Sequence, residues 1–301
     1  MNEAGSGQRA GEAWHAQALH RIASALQVLP DKPEETPEAT LAALCHAAAG
    51  TPCSAATAPT LALPVLDEGG RARFEALLAR RLGGEPLAHI TGRQRFMDLE
   101  MLAGPEALIP RMETQILART AIDALRAIMA ARPAARPVVL DVCTGSGNLA
   151  AAIASHVRGA RVFASDLSAA AVDLARRNAA FLGLGDAIEL RTGDLLQPFE
   201  DAAFVGNVDL LVCNPPYISS ARVDVLPAET GVHEPRLAFD GGPLGIRILS
   251  RLVAEAPRFL RPGGVLAFEV GLGQARGVQK RMAASGAYAD VRAVADDAGE
   301  G

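Results

Sequence analysis

A strand, a glycine turn and a helix in direct succession limit this chain's fold more than any other stretch. Pro137-Val138-Val139-Leu140-Asp141-Val142 is apolar and rich in β-branched residues, and it reads as a buried strand. Cys143-Thr144-Gly145-Ser146-Gly147-Asn148 is a tight turn, and residues 149–157 are Ala-rich and helix-prone. The two glycines let backbone approach a ligand, and the helix start offers free N–H groups. The next strand, Ala160-Arg161-Val162-Phe163-Ala164-Ser165, ends in Asp166. That carboxylate lies about twenty residues beyond the glycines, where an acid accepts from both ribose hydroxyls. Taken alone, Gly145-x-Gly147-x-x-Ala150 suits a nicotinamide dinucleotide fold as well as an adenosylmethionine fold.

Asn214-Pro215-Pro216-Tyr217, one crossover later, tips the balance to methyl transfer. It follows Val208-Asp209-Leu210-Leu211-Val212-Cys213, a buried strand, and open α/β sheets bind ligands at the carboxyl ends of their strands. A planar nitrogen on an sp² carbon is a poor nucleophile and must be held with its lone pair aimed at the methyl donor. The Asn214 side-chain oxygen and the Pro215 carbonyl can each accept one of its N–H hydrogens. The prolines have fixed φ and no N–H, so those acceptors are pre-positioned, and Tyr217 offers a flat face. A plain Pro-Pro turn after a strand is the competing reading of the tetrapeptide by itself.

No strand is expected before about residue 90, and strands alternate with helices after about 136, which gives a small helical domain followed by a doubly wound α/β domain. Helices are expected over residues 14–29, 40–49 and 72–82. Phe96-Met97-Asp98-Leu99-Glu100-Met101-Leu102 alternates like a hairpin strand, and Leu108-Ile109-Pro110-Arg111 opens a long helix over 114–130. Ser168 is placed to cap a helix ending at Phe181, residues 187–191 form a third strand, and a further helix spans 246–259. Arg261-Pro262-Gly263-Gly264 reads as a turn into a strand over 265–270.

The 301 residues, 50% hydrophobic, suffice for one large core and a small one. A net charge of -5 provides no basic footprint for nucleic acid, and the Arg71, Arg73, Arg80, Arg81, Arg93 and Arg95 cluster reads mainly as solvated helix faces. Cys45, Cys53, Cys143 and Cys213 show neither metal-ligand spacing nor a secretory context, so they read as small buried thiols. The polar N-terminus and the lack of a long apolar run point to a soluble, reducing compartment.

Over nearly its whole length the chain resembles the protein-(glutamine-N5) methyltransferases, specifically the branch that modifies bacterial class 1 peptide-chain release factors. The resemblance is carried by Gly84-Glu-Pro-Leu-Ala-His-Ile-Thr-Gly92, Leu108-Ile-Pro-Arg-Met-Glu-Thr114, Asp141-Val-Cys-Thr-Gly-Ser-Gly147, Asn214-Pro-Pro-Tyr217 and His233-Glu-Pro-Arg-Leu-Ala238. It implies an α/β fold: a Rossmann-like class I adenosylmethionine-dependent methyltransferase domain (113–301) after a linker hairpin (91–112) and a small all-α substrate-docking domain (1–90). By position, the cofactor residues become Cys143, Thr144, Gly145, Ser146, Gly147, Asp166, Leu195 and Asn214, with Leu195 beside adenine where relatives often have an aromatic. Asn214, Pro215, Pro216 and Tyr217 hold the substrate, and Asn214 and Pro215 carry the catalysis. The implied cofactor is S-adenosyl-L-methionine and the implied partner a release factor, met in the cytoplasm, with no metal, membrane or nucleic acid required.

Departures from the family pattern leave a paralogue with another amide or amine substrate as the alternative reading. Met112 stands where a proline is usual, Gln115 replaces an acid, and Gly242-Pro243-Leu244-Gly245 lacks an expected Asp. Residues 288–294 supply one further strand, but a last hairpin arm is missing, which leaves a sheet edge for a second copy to cover. His89 reads as a catalytic base or, better matched to its apolar neighbours, as a hydrogen-bonded structural histidine, and His233 as a loop brace. Arg111 and Glu113 line the site mouth or lock the helix start, and Asp141 orders backbone amides or touches ligand. Two other functions remain open: methylation of a nucleic-acid base amine through the same tetrapeptide, and non-catalytic binding of adenosylmethionine. The acidic charge counts against the first, and the intact Gly145, Gly147, Asp166 and Asn214 against the second.

Overall fold

The computed structural model describes residues 3–133, 136–226 and 228–295. It has the expected architecture, a helical N-terminal unit followed by a parallel α/β unit. Helices α1 (Glu3–Ala25), α2 (Pro37–Ala48), α3 (Glu68–Leu82) and the short α4 (Leu87–Thr91) enclose a core of Ile22, Leu44, Phe74, Leu78 and Leu87. All three expected helices start earlier than their apolar spacing indicates, α1 also ending at Ala25 and not at 29, and in α2 and α3 capping residues settle the first N–H groups. The Thr36 hydroxyl accepts from Ala39 N at 3.1 Å, and Asp67 accepts from Gly70 N at 2.6 Å. The Asp67-Glu68-Gly69-Gly70 run is therefore the first turn of α3 and not its approach.

The linker carries a hairpin, but the run over 96–102 is not one of its strands and instead holds the turn. Strands β1 (Arg93–Phe96) and β2 (Leu99–Leu102) pair antiparallel with Phe96 opposite Leu99, so the turn falls on Met97 and Asp98 inside the alternating run. Phe96 and Met101 point into the α/β core. On β2, Glu100 reaches the other way and accepts from Ser54 N, Ser54 Oγ and Thr57 Oγ1 of the helical unit, at 2.6, 2.7 and 2.8 Å.

After α5 (Thr114–Ala131), the chain alternates β3 (Val138–Val142), α6 (Asn148–His156), β4 (Arg161–Asp166), α7 (Ala169–Phe181), β5 (Ile188–Thr192) and β6 (Val208–Cys213). The short helices α8 (Ser220–Val223) and α9 (Ala228–His233) precede α10 (Arg247–Phe259), β7 (Leu260–Phe268) and α11 (Ala275–Ser285). Among the described residues the sheet is parallel throughout, in the order β5-β4-β3-β6-β7. Leu117, Ala121, Leu125, Leu149 and Ile153 cover one face, and Leu252, Ala256 and Phe259 the other. Burial of both faces explains why β3 and β6 read as nearly continuous apolar runs, each broken only by one buried Asp, Asp141 or Asp209. The strand order reverses at β3, so a crevice opens beyond the carboxyl ends of β3 and β6.

Two expectations fail at the sheet's far side. The Arg261-Pro262-Gly263-Gly264 turn is an excursion within β7, between Leu260 opposite Val208 and Val265 opposite Leu210. Residues 288–294 form no strand: the Tyr288 hydroxyl donates to Val253 O at 2.7 Å, and Tyr288 and Val291 pack on Leu249, Val253 and Met282. That segment covers helices α10 and α11 instead of pairing with β7, which ends the sheet among the described residues. Residues 297–301 lie outside the described residues.

Candidate active site

The crevice is a cleft open to solvent, into which the motifs converge from both sides. One wall is the turn after β3. Gly145, at φ 55°, adopts the left-handed backbone that turn needs, and a Cβ there would meet only Ala107 at 3.9 Å. Asp166, at the end of β4, accepts from Gly145 N and Ser168 N, both at 2.9 Å, and thereby ties the turn to the start of α7. Ser168 caps α7 as expected, accepting from Ala171 N. Burial raises the Asp166 carboxyl above its ordinary value, while the Ser168, Gly145 and Leu167 N–H groups pull it back. Asp141 is fully enclosed behind the turn and accepts from Thr144 Oγ1 at 2.6 Å and Ala150 N at 3.0 Å. Burial raises it to about 7, against the pull of those two donors. Asp141 therefore orders the turn and does not line the cleft.

Cys143, Thr144, Gly145, Ser146, Asp166, Asp194, Leu195, Asn214 and Pro216 all line the cleft. Cys143 and Leu195 hold left-handed backbone, φ 58° and 49°, which costs a side-chain-bearing residue energy and presents both to the opening. Three expected site residues sit elsewhere. Gly147 faces α7, where a Cβ would lie 3.1 Å from Ala175 Cβ, so it serves helix packing. Pro215 is buried behind the lining, and Tyr217 turns away to donate to Glu269 Oε1 at 2.8 Å.

The wall that carries Asn214 is held by side chains. Asn214 Nδ2 donates to Thr114 Oγ1 at 3.1 Å, and Thr114 Oγ1 donates to Glu269 Oε2 at 2.8 Å. Burial raises the Glu269 carboxyl, only partly offset by the Thr114 and Tyr217 donors, and burial and Glu269 together raise the Tyr217 phenol. Behind the tetrapeptide, Gln274 Nε2 donates to Tyr217 O at 3.1 Å. A Cβ on Gly245 would sit 2.3 Å from that same carbonyl, so only glycine fits there.

Arg111 and Glu113 separate in the structure. Glu113 is exposed at the start of α5 and makes no capping bond. Arg111 donates to Glu234 Oε1 at 2.6 Å and pairs with Asp31 at 3.3 Å, while Glu234 also accepts from Ile109 N at 2.9 Å. Burial opposes the Arg111 charge, but Glu234 and Asp31 outweigh it and hold the guanidinium above its ordinary value. Arg111 thus clamps the linker to both units and stays outside the lining. His89 and His233 are also outside it. The buried His89 Nε2 has no hydrogen-bond partner among the described residues, so the hydrogen-bonded role expected of it is not seen at that atom. The departures Met112 and Gln115 meet each other, Gln115 Nε2 donating to the Met112 sulfur at 3.3 Å.

The sequence motifs left Thr114, Glu269, Glu234 and Asn178 without assigned roles. A signal existed for Glu269, a carboxylate just past the carboxyl end of a strand, as Asp166 is at the end of its own. Asn178 is a polar residue on the buried face of α7. It donates to Leu102 O and Ser146 O at 3.1 and 3.0 Å and accepts from Leu102 N at 2.7 Å, joining the hairpin to the cofactor turn.

An adenosylmethionine-sized ligand suits the cleft. Asp166 retains lone pairs beyond its backbone donors, and the Ser146 hydroxyl is buried without a hydrogen-bond partner among the described residues. Leu167, Leu195 and Ile248 supply apolar lining. Among the described residues no helix is long and apolar enough to cross a membrane.

Residues 17–92 match the PrmC N-terminal domain, and residues 114–236 the methyltransferase small domain. The release factor glutamine methyltransferase of Moorella thermoacetica is 39% identical over 227 residues, covering 75% of this chain and 76% of that one. The enzyme of the same name from Burkholderia pseudomallei is 43% identical over 237 residues, covering 77% and 79%. That of Streptomyces coelicolor is 42% identical over 198 residues, covering 66% and 67%.

Proposed function

The chain belongs to the release factor glutamine methyltransferase family, and from that premise we propose that it transfers a methyl group to a glutamine side-chain nitrogen of a peptide-chain release factor. The acceptor is the glutamine of a Gly-Gly-Gln loop, and the work is done in the cytoplasm where translation terminates. The observation that carries this reading is the Asn214 amide, tethered by its nitrogen to Thr114 while the residue lines the cleft opposite Asp166.

S-adenosyl-L-methionine supplies an electrophilic methyl group on a positively charged sulfur. Asp166 accepts from the ribose hydroxyls, the Cys143-to-Ser146 turn approaches the ligand with its backbone, and Leu195 with Ile248 flanks the adenine. Asn214 Oδ1, on the lining, accepts an amide hydrogen of the substrate glutamine. That bond orients the amide and raises electron density on its nitrogen. Orientation and preorganised acceptors, not a covalent intermediate, then carry the rate.

Incubating the protein with labelled S-adenosyl-L-methionine and a release factor tests this directly. The expected outcome is one methyl group on the Gly-Gly-Gln glutamine, located by peptide mass spectrometry, and none when that glutamine is replaced. Label entering RNA, DNA or a small amide, but not the release factor, would overturn the acceptor assignment. Stoichiometric cofactor binding with no adenosylhomocysteine formed would overturn catalysis altogether.

A further inference from the structure

We infer that Thr114 and Glu269 are positioning residues that determine which end of the Asn214 amide faces the cleft. In its ionised form Glu269 carries no hydrogen and can only accept. It accepts from Thr114 Oγ1 at 2.8 Å and from Tyr217 OH at 2.8 Å. The Thr114 hydroxyl has a single hydrogen, and Glu269 takes it. Only lone pairs then remain on Thr114 Oγ1 for its third neighbour, Asn214, at 3.1 Å. An amide oxygen there would set lone pair against lone pair, so the amide nitrogen must face Thr114. The oxygen is thereby committed to the other side, where Asn214 lines the cleft. Thr114 is 1% exposed, so water does not reach in to offer the hydroxyl a substitute acceptor.

The order matters because the two ends of an amide are nearly identical in shape and opposite in hydrogen bonding. With its oxygen toward the cleft, Asn214 accepts from a substrate N–H. Flipped, it presents N–H to N–H and repels the same group. A carboxylate at one end of the relay thus sets polarity at the other, through a hydroxyl on the cleft wall that is 1% exposed and held between Asn214 and Glu269. Tyr217 contributes by filling the second Glu269 oxygen, which leaves the first to Thr114.

This inference rests on the methyl-transfer reading for its kinetic test and not for its structural one. In the kinetic test, Thr114→Val keeps the shape and removes the hydroxyl. We expect kcat to fall about tenfold, the scale of one hydrogen bond, with adenosylhomocysteine affinity by titration calorimetry and the cofactor KM unchanged. Thr114→Ser, which restores the hydroxyl, should recover most of the rate. Because Thr114 acts through Asn214, Thr114→Val should cost nothing further in an Asn214→Ala background. An unchanged kcat in Thr114→Val, or an equal loss in both backgrounds, would overturn the relay. Should Thr114→Val fail to fold, Thr114→Ala removes the same hydroxyl without setting a methyl group against Glu269, and the same comparison applies. A neutron structure of the wild-type protein with adenosylhomocysteine reads the relay with no methyl acceptor present. Deuterium on Thr114 directed at Glu269, with the Asn214 ND₂ group directed at Thr114, supports it. The Asn214 oxygen on Thr114 overturns it, whatever the enzyme methylates.

Discussion

The wall of the cleft proposed for the cofactor is tied by carboxylates mostly to nearby backbone, and the wall proposed for the substrate by side chains to distant side chains. Asp166 accepts from amides 21 residues before it and two after it, and Asp141 from groups three and nine residues ahead. Asn214 hangs on Thr114, 100 residues away, which hangs on Glu269, another 155 away. Backbone donors point one way whatever their neighbours do, so in the first wall the direction of each bond is fixed without help from other side chains. In the second wall every link has a donor end and an acceptor end, and a change at one link alters the next. The first arrangement gives durable binding, and the second gives directional chemistry that is easily lost.

Separating binding from chemistry should produce the largest effect. Asn214→Ala is expected to slow turnover by about 10²–10³, the usual cost of one preorganised acceptor or donor, while adenosylhomocysteine affinity stays within about twofold. Single-turnover kinetics and calorimetry read the two quantities, and parallel losses would erase the distinction between the walls. Next, Asp166→Ala should weaken adenosylhomocysteine by roughly ten- to a thousandfold through the loss of charge-assisted bonds. It also releases Gly145 N and Ser168 N, so its melting temperature should fall, whereas that of Asn214→Ala should hold.

The pH dependence of stability probes the ground beneath the cofactor wall. The folded Asp141 carboxyl sits at about 7 against an ordinary 3.8, so between those values the folded chain holds a proton that the unfolded chain releases. Its contribution to stability is therefore complete below pH ~4, falls as pH climbs toward 7, and is spent above it. Asp141→Asn lacks that slope. Relative to wild type, the variant should gain about 1–3 kcal/mol of stability between pH 5 and pH 8 in urea titrations. A difference independent of pH would mean that Asp141 is ionised throughout. The smallest expected effect is that of Gly147→Ala, which forces a Cβ against Ala175 at a φ of 82°. It should cost about 1–2 kcal/mol by denaturation, with little change in affinity, because this glycine packs a helix and does not face the ligand.

The same contrast governs what could be read from the amino acids alone. Asp166, Gly145, the Ser168 cap and Asn214 follow from short runs in which strand, turn and helix signals are contiguous. The relay joins residues from α5, the tetrapeptide and the end of β7, and no local pattern declares that a Thr and a Glu will share an Asn. Tyr217 was legible as a tetrapeptide member, yet its direction depended on Glu269. Residues 288–294 carry strand-like composition, but that period cannot reveal that the Tyr288 hydroxyl finds a helix carbonyl in α10 first. The hairpin shows a similar limit: alternation runs unbroken through Met97 and Asp98, and the left-handed Met97 at φ 54° reverses it.

The hairpin itself has a metric consequence. At one end Glu100 grips Ser54 and Thr57 of the helical unit, and at the other Asn178 grips Leu102 and the Ser146 carbonyl of the cofactor turn. Arg111, Asp31 and Glu234 add a second strut nearby. Two crossbars of this kind make a caliper: the helical jaw and the cofactor jaw cannot spread without breaking charge-assisted bonds at several points together. If, as the proposed function implies, a release factor docks on the helical unit, it is offered to Asn214 at one reach only. A loop too short to span the gap, or too long to be taut across it, would present its glutamine off the mark even with a perfect local sequence.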